Sequence, residues 1–175
     1  MSNMSKEIRL DVPYLSQLDN SYRPYGTCNT TSLAMCMAYF GHQKIDVHGN
    51  QLEDELTDYC FEHKLSRHSP HDLKVVLERY GYKDDFQEDA KWEDVKSWLK
   101  AGRPCITHGW FTRDGHIIVI IGFNDQGFVV HDPYGEYWES GYDTTVSGAG
   151  LVYSYGLMRR VCGHDGDLWI HYVSK

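Results

Sequence analysis

Helix-like patterns occupy the first part of this chain and β-branched and aromatic runs the second, an order that predicts an α+β fold. Three observations carry that expectation. Helical spacing runs from Asn29, a capped helix start lies at Ser69-Pro70-His71-Asp72, and an unbroken apolar run extends from Ile117 to Ile121. At 175 residues with 41% hydrophobic and 14% aromatic content, the chain suits one domain spanning 1–175, with 1–7 expected as a flexible N-terminus.

Each element has its own signal. After an extended lead-in from Ile8 to Tyr14, Asn29 to Phe40 places Leu33, Ala34, Met37 and Ala38 at helical spacing, and Gly41 supplies the stop. Leu52 to Phe61 reads as a second helix, with Leu52, Leu56 and Tyr59 on one side. Ser69 as N-cap, Pro70 at the first helical position and Asp72 at N3 start a third, which runs to about Tyr80 before Gly81. Trp92 to Leu99 is the fourth, closed by Gly102. Strands are expected at Pro104 to His108, His116 to Phe123, Phe128 to Asp132 and Leu168 to Val173. The second of these is apolar on both faces and therefore central in a sheet. Between Pro133 and Gly163, rich in Tyr, Gly and Ser, mostly loop and short strand is expected.

Lys+Arg 17 against Asp+Glu 25 gives a formal net charge of -8, without the basic excess that draws proteins to nucleic acid or anionic lipid. The longest apolar run is far below the roughly 20 residues that span a bilayer, so no membrane segment is expected. The start MSNMSKEIRL has no signal-peptide pattern. The expected compartment is therefore the cytoplasm, with export by another route or delivery in a phage or secretion particle left open. Five irregularly spaced cysteines argue for reduced thiols over a disulfide framework.

Cys28 stands directly before the first helix, in Tyr25-Gly26-Thr27-Cys28-Asn29-Thr30-Thr31-Ser32, where free N–H groups and the helix dipole favour a thiolate. The competing explanation is a small packed residue. Cys36, Cys60, Cys105 and Cys162 are assigned structural roles. A thiol nucleophile needs a base and a group to hold that base. His116, after the turn-like Asp114-Gly115 and before five apolar residues, fits the base. Asp132 ends the next strand, where it either orients His116 or terminates the strand before Pro133.

The stretches Leu10-Asp11-Val12-Pro13-Tyr14-Leu15-Ser16-Gln17, Thr27-Cys28-Asn29-Thr30-Thr31-Ser32, Gly115-His116-Ile117-Ile118-Val119-Ile120-Ile121-Gly122-Phe123 and His131-Asp132-Pro133-Tyr134-Gly135 together resemble the C39-like peptidases of the papain-like superfamily. The resemblance implies a papain-like cysteine peptidase fold, with an N-terminal helical half carrying the Cys and a C-terminal antiparallel β half carrying His and Asp. It also implies Cys28 as nucleophile, His116 as base, Asp132 as orienting group and Gln17 as oxyanion donor, with no cofactor. The family often has an aromatic residue after the His, where this chain has Ile117. The implied activity is hydrolysis of a peptide or amide bond through a thioester, with transfer or deamidation as variants. A peptide, a protein or a peptidoglycan stem would serve as substrate.

Two further features belong here. Cys60, His63, His68 and His71 have spacings of the kind that hold zinc, although helix signals around Cys60 and His71 cut against it. The alternative to an enzyme is accordingly a non-catalytic peptide-binding or zinc-stabilised module on the same fold. Trp110, Tyr134, Tyr137, Trp138 and Tyr142 could equally line a groove or cover the sheet. Strand register adds a sharper expectation. A three-residue loop Asp125-Gln126-Gly127, with Gly127 left-handed, would set Asp132 opposite Ile120, about 13 Å from His116 at about 3.3 Å per residue. A turn centred near Asn124 or a β-bulge must therefore intervene if the two side chains are to meet.

Overall fold

A computed structural model describes residues 7–21, 23–42, 51–164 and 166–175. The expectation of a flexible 1–7 falls, residue 7 apart, outside the described residues. Along the chain run β1 (Ile8–Arg9), a 3₁₀ turn (Gln17–Asp19), α1 (Cys28–Tyr39), α2 (Leu52–Glu62), α3 (Pro70–Arg79), β2 (Lys83–Gln87), α4 (Trp92–Lys100), β3 (Cys105–Gly109), β4 (His116–Phe123), β5 (Gly127–His131), β6 (Glu136–Trp138), β7 (Gly141–Asp143), β8 (Leu151–Ser154), α5 (Tyr155–Val161) and β9 (Ile170–Ser174).

The local signals act as their chemistry requires. Ser69 accepts from the Asp72 N–H and Pro70 opens α3, while Gly41 takes φ +86 just after α1. One antiparallel sheet has the order β2-β9-β3-β4-β5-β8, with β1 added on β4. All eight residues of β4 are buried, as a central strand demands. Its odd residues Ile117, Val119 and Ile121 join the core beneath α1, α2 and α3, and its even residues Ile118 and Ile120 join the opposite core with Leu99, Phe128 and Met158. At Gly122 the β1 backbone comes so close that a Cβ would stand 1.9 Å from the Ile8 carbonyl oxygen, so only glycine fits.

Three expectations are corrected. The β4–β5 hairpin turns on two residues, not three. The Asn124 N–H donates to the Gly127 carbonyl at 2.9 Å, and Asn124 Oδ1 accepts from the Gln126 and Gly127 N–H groups. Gly127 is not left-handed. The expected bulge lies between Ile120 and Gly122: Phe123 pairs with Phe128 and Gly122 with Val129, but Ile120 pairs with Val130. The extra residue also reverses the alternation, which puts Phe123 in the same core as Ile118 and Ile120. The 133–163 stretch holds more than loop and short strand, since Ser154 caps α5 by accepting from the Leu157 N–H. β2, with its polar Lys-Asp-Asp-Phe-Gln sequence, carries no period-2 hydrophobic signal and forms because β9 pairs along its whole length.

Candidate active site

Cys28 is the first residue of α1, and Thr27 before it provides no side-chain cap. Its hydroxyl instead donates to the Arg23 carbonyl at 3.1 Å and accepts from Asn20 at 2.7 Å. Thr27 thus leaves the first N–H groups of α1 uncapped from its own side, and the Thr30 N–H is taken instead by Asn29 Oδ1 at 2.8 Å. The buried polar residues that follow are satisfied one by one. Thr31 donates to the Thr27 carbonyl, Thr30 pairs with Thr57, Asn29 donates to the Arg67 carbonyl, and Ser32 donates to the Ile117 carbonyl, which ties α1 to β4.

His116 opens β4 and Asp132 follows β5 directly. Both are buried, and His116 Nε2 lies 2.8 Å from Asp132 Oδ1. With Nε2 held by the carboxylate, Nδ1 is the nitrogen left to face the Cys28 thiol, and the two groups shift each other's titration. The strand alternation puts His116 and Asp132 on the face of Ile118, Ile120 and Val130, and the bulge brings them closer by one residue than regular pairing would. The imidazole spans the rest.

Asp132 is surrounded by donors. Tyr142 and Tyr153 hydroxyls both donate to Oδ2 at 2.7 Å, and the Tyr134 N–H donates to Oδ1 at 3.0 Å. Its backbone is held as firmly: Tyr14 donates to its carbonyl at 2.9 Å, and its N–H donates to the Gly148 carbonyl at 2.9 Å. A Cβ on Gly148 would stand 1.8 Å from the Asp132 carbonyl oxygen. Burial and then the Asp132 charge raise both tyrosines far above their ordinary range, so they remain donors. Sequence reasoning named Tyr142 only as a possible groove or cover residue and missed Tyr153. They lie 10 and 21 residues from Asp132, with no local signal joining them.

The electrostatics separate the five thiols. Burial alone would raise Cys28, but the His116 charge, its hydrogen bond and a backbone contact from Ile117 outweigh it and lower the thiol below its ordinary value. Burial would lower His116; Asp132 and Cys28 outweigh it and raise the imidazole. The other four cysteines are all raised by burial, Cys60 to about 11 and Cys162 to about 12.

Gln17 is buried in the 3₁₀ turn, and its backbone N–H donates to the Pro133 carbonyl at 2.9 Å, one residue from Asp132. Its Nε2 donates to the Pro24 carbonyl at 3.0 Å, while Oε1 has no partner among the described residues. Gln17 does not line the cavity of about 320 Å³ that Cys28 and His116 share with His108, Trp110, Asp114 and Trp169.

The remaining candidates disperse. Among the described residues no group of three or more His, Cys, Asp or Glu side chains is arranged to hold a metal ion. Cys60 is buried in α2, His63 packs on Tyr59, and His71 sits 3.3 Å from Glu88. The aromatic set divides. Trp110 lines the cavity, Tyr134 and Tyr142 pack against the His116 ring, Tyr137 packs on Phe111, and Trp138 is exposed.

This mixed fold of helices and antiparallel sheet resembles C39-like peptidase structures. Residues 9–162 match the Peptidase_C39 like family, and the chain belongs to that family. It is similar to a C39-like peptidase structure from Bacillus anthracis (17% identity, 97% of this chain and 98% of that one, TM-score 0.66). It is also similar to a double glycine motif protease from an AMS/PCAT transporter, solved in complex with the leader peptide (18% identity, 96% of each chain, TM-score 0.59). No curated protein matches the chain. Family and fold support a peptidase of the cysteine class. Among the described residues no helix is long and apolar enough to cross a membrane.

Proposed function

We propose that this protein is a cysteine peptidase or amidase that cleaves a peptide through a thioester on Cys28, with His116 as acid and base and Asp132 as the orienting group. The observation that carries the reading is the thiol contrast: of five cysteines, the lowered one is the one that touches an imidazole held from behind by a carboxylate. A binding module has no need of that arrangement.

The steps follow from the order of the groups. The Cys28 thiolate attacks the scissile carbonyl carbon, and the oxygen takes up negative charge beside the start of α1. There the Cys28 N–H serves as one donor, and the Gln17 side chain, which lies outside the cavity lining on Pro24, swings toward Cys28 to serve as the second. The His116 imidazolium gives its proton to the departing amine as the C–N bond breaks, leaving a thioester. Water then attacks the thioester, His116 takes its proton, and the carboxylic product leaves as the thiol is restored. Asp132 keeps the ring in register through both steps. A peptide substrate fits a cavity with Cys28 on its wall, and the relative captured with a leader peptide supports that substrate class.

The test is labelling with iodoacetamide or a peptide nitrile near neutral pH, followed by mass mapping. Cys28 should react much faster than Cys36, Cys60, Cys105 or Cys162, and Cys28→Ala should abolish turnover while the fold persists. Equal rates across the cysteines, or near-full activity in Cys28→Ala, overturns the proposal. Gln17→Ala should cut turnover by roughly 10²–10³ while leaving alkylation nearly unchanged.

A further inference from the structure

A second line of polar side chains reaches the same cavity. β2, β9 and β3 are adjacent in the sheet though distant in sequence, and they align Asp84, His171 and His108. His171 Nδ1 lies 2.6 Å from Asp84 Oδ2, and His171 Nε2 lies 2.8 Å from His108 Nε2. The side chains of Asp84 and His171 are wholly buried, with the Phe86 ring stacked on His171 at 4.5 Å. Of the three, His108 alone lines the cavity that holds Cys28 and His116.

The protons can be placed from one end. A buried carboxylate is tolerated when a charge or several donors compensate it. Asp84 Oδ1 has no partner among the described residues, so the compensation must come from His171. That requires a proton on each nitrogen of His171, one facing Asp84 Oδ2 and the other facing His108 Nε2. Burial and the neighbouring His171 charge hold His108 far below the ordinary histidine range, at about 3, so its ring is neutral. A neutral ring that accepts at Nε2 has its one proton on Nδ1.

We propose that Asp84, His171 and His108 form a second relay at the cavity, in which His108 is a specificity-determining residue whose Nδ1–H donates to a backbone carbonyl of the peptide flanking the scissile bond. Asp84 and His171 are positioning residues that set the tautomer. The inference rests on the Cys28 reading above for its substrate, but the tautomer stands independently of it.

Two measurements test it. In protein labelled with ¹⁵N-histidine, long-range proton–nitrogen spectra, assigned with His108→Gln and His171→Gln, should give a neutral His108 protonated on Nδ1 and a doubly protonated His171. A His108 proton on Nε2 in the unaltered protein overturns the relay, the variants serving only to assign its signals. The second measurement compares labelling of Cys28 by acetyl-trialanyl chloromethyl ketone and by iodoacetamide. His108→Phe should slow the peptide reagent by about 10–100-fold and leave iodoacetamide unchanged, with His108→Gln, which keeps an N–H, recovering part of the loss. The trialanyl reagent has no polar side chain, so such an effect identifies a backbone acceptor. No loss, or an equal loss with both reagents, overturns the role of His108. Failure of iodoacetamide to select Cys28 in the unaltered protein counts against the nucleophile instead.

Discussion

Two buried aspartate–histidine pairs stand on the same sheet, and they are built in opposite ways. Asp132 accepts from His116, Tyr142, Tyr153 and the Tyr134 backbone, so both of its oxygens are fully engaged. Asp84 accepts from His171 alone, and its second oxygen has no partner among the described residues. The imidazole beyond each carboxylate differs accordingly. His116 sits between a carboxylate and a thiol, both of which favour its charged form, and is raised. His108 sits beyond another histidine, with no carboxylate of its own, and is lowered to about 3. The same residue types thus yield a proton-holding ring in one place and a neutral ring in the other. What decides is the group that faces each buried ring: burial lowers both, the Asp132 carboxylate and the Cys28 thiol outweigh it at His116, and the neighbouring His171 adds to it at His108.

The largest effect should come from removing the charged ring. His116→Ala should cut turnover by about 10²–10⁴, the usual contribution of a positioned acid–base group. It should also move the pH dependence of Cys28 alkylation. In the native protein the thiol is lowered, so labelling sets in below the pH of an ordinary cysteine and then persists as pH rises. Without His116, burial is left as the dominant influence, and the onset should shift to alkaline pH. An unchanged onset in alkylation-rate profiles would mean that His116 is not what lowers the thiol.

Asp132→Asn should lose less turnover than His116→Ala, because the amide oxygen can still accept from the ring, as Asn does in papain-type sites. Its amide nitrogen can be accommodated by rotation of the Tyr142 or Tyr153 hydroxyl. Steady-state rates with one peptide substrate decide the ranking, and the reverse order would make Asp132 itself the base.

Stability should separate the two carboxylates more gently. Urea unfolding at pH 7 should find Asp132→Asn costlier than Asp84→Asn, since in the first the amide nitrogen replaces an oxygen that accepts from Tyr142 and Tyr153, and in the second it can replace the oxygen that has no partner among the described residues. Equal losses would mean that the donors around Asp132 add little. The smallest effect expected is for Tyr153→Phe, which removes one hydroxyl from a buried carboxylate and should cost about 1.5–3 kcal/mol in the same measurement. A loss near zero would assign that hydroxyl to packing rather than to the carboxylate.

Much was legible in the chain before any tertiary contact was considered. Ser69, Pro70 and Asp72 define the start of α3 because capping is a contact between neighbours in sequence. The apolar run after His116 marks a central strand because burial on both faces leaves no polar position in it. The position of Cys28 at a helix start was equally local, and the expectation of a turn centred near Asn124 or a β-bulge in one of the two strands followed from strand arithmetic; the bulge lies between Ile120 and Gly122. The role assigned to Gln17 came only from the family resemblance.

What the tertiary structure alone decided is where distant side chains meet. Tyr142 and Tyr153 reach Asp132 across separate strands, and Asp84, His171 and His108 meet because the sheet runs β2-β9-β3, an order that no periodicity encodes. β2 is an edge strand whose polar sequence carries no strand signal until β9 pairs with it. Capping, turns and alternation act over a few residues and so can be read along the chain. Donors that satisfy a buried carboxylate are recruited by proximity in space, and proximity in space exists only once the strands have been ordered.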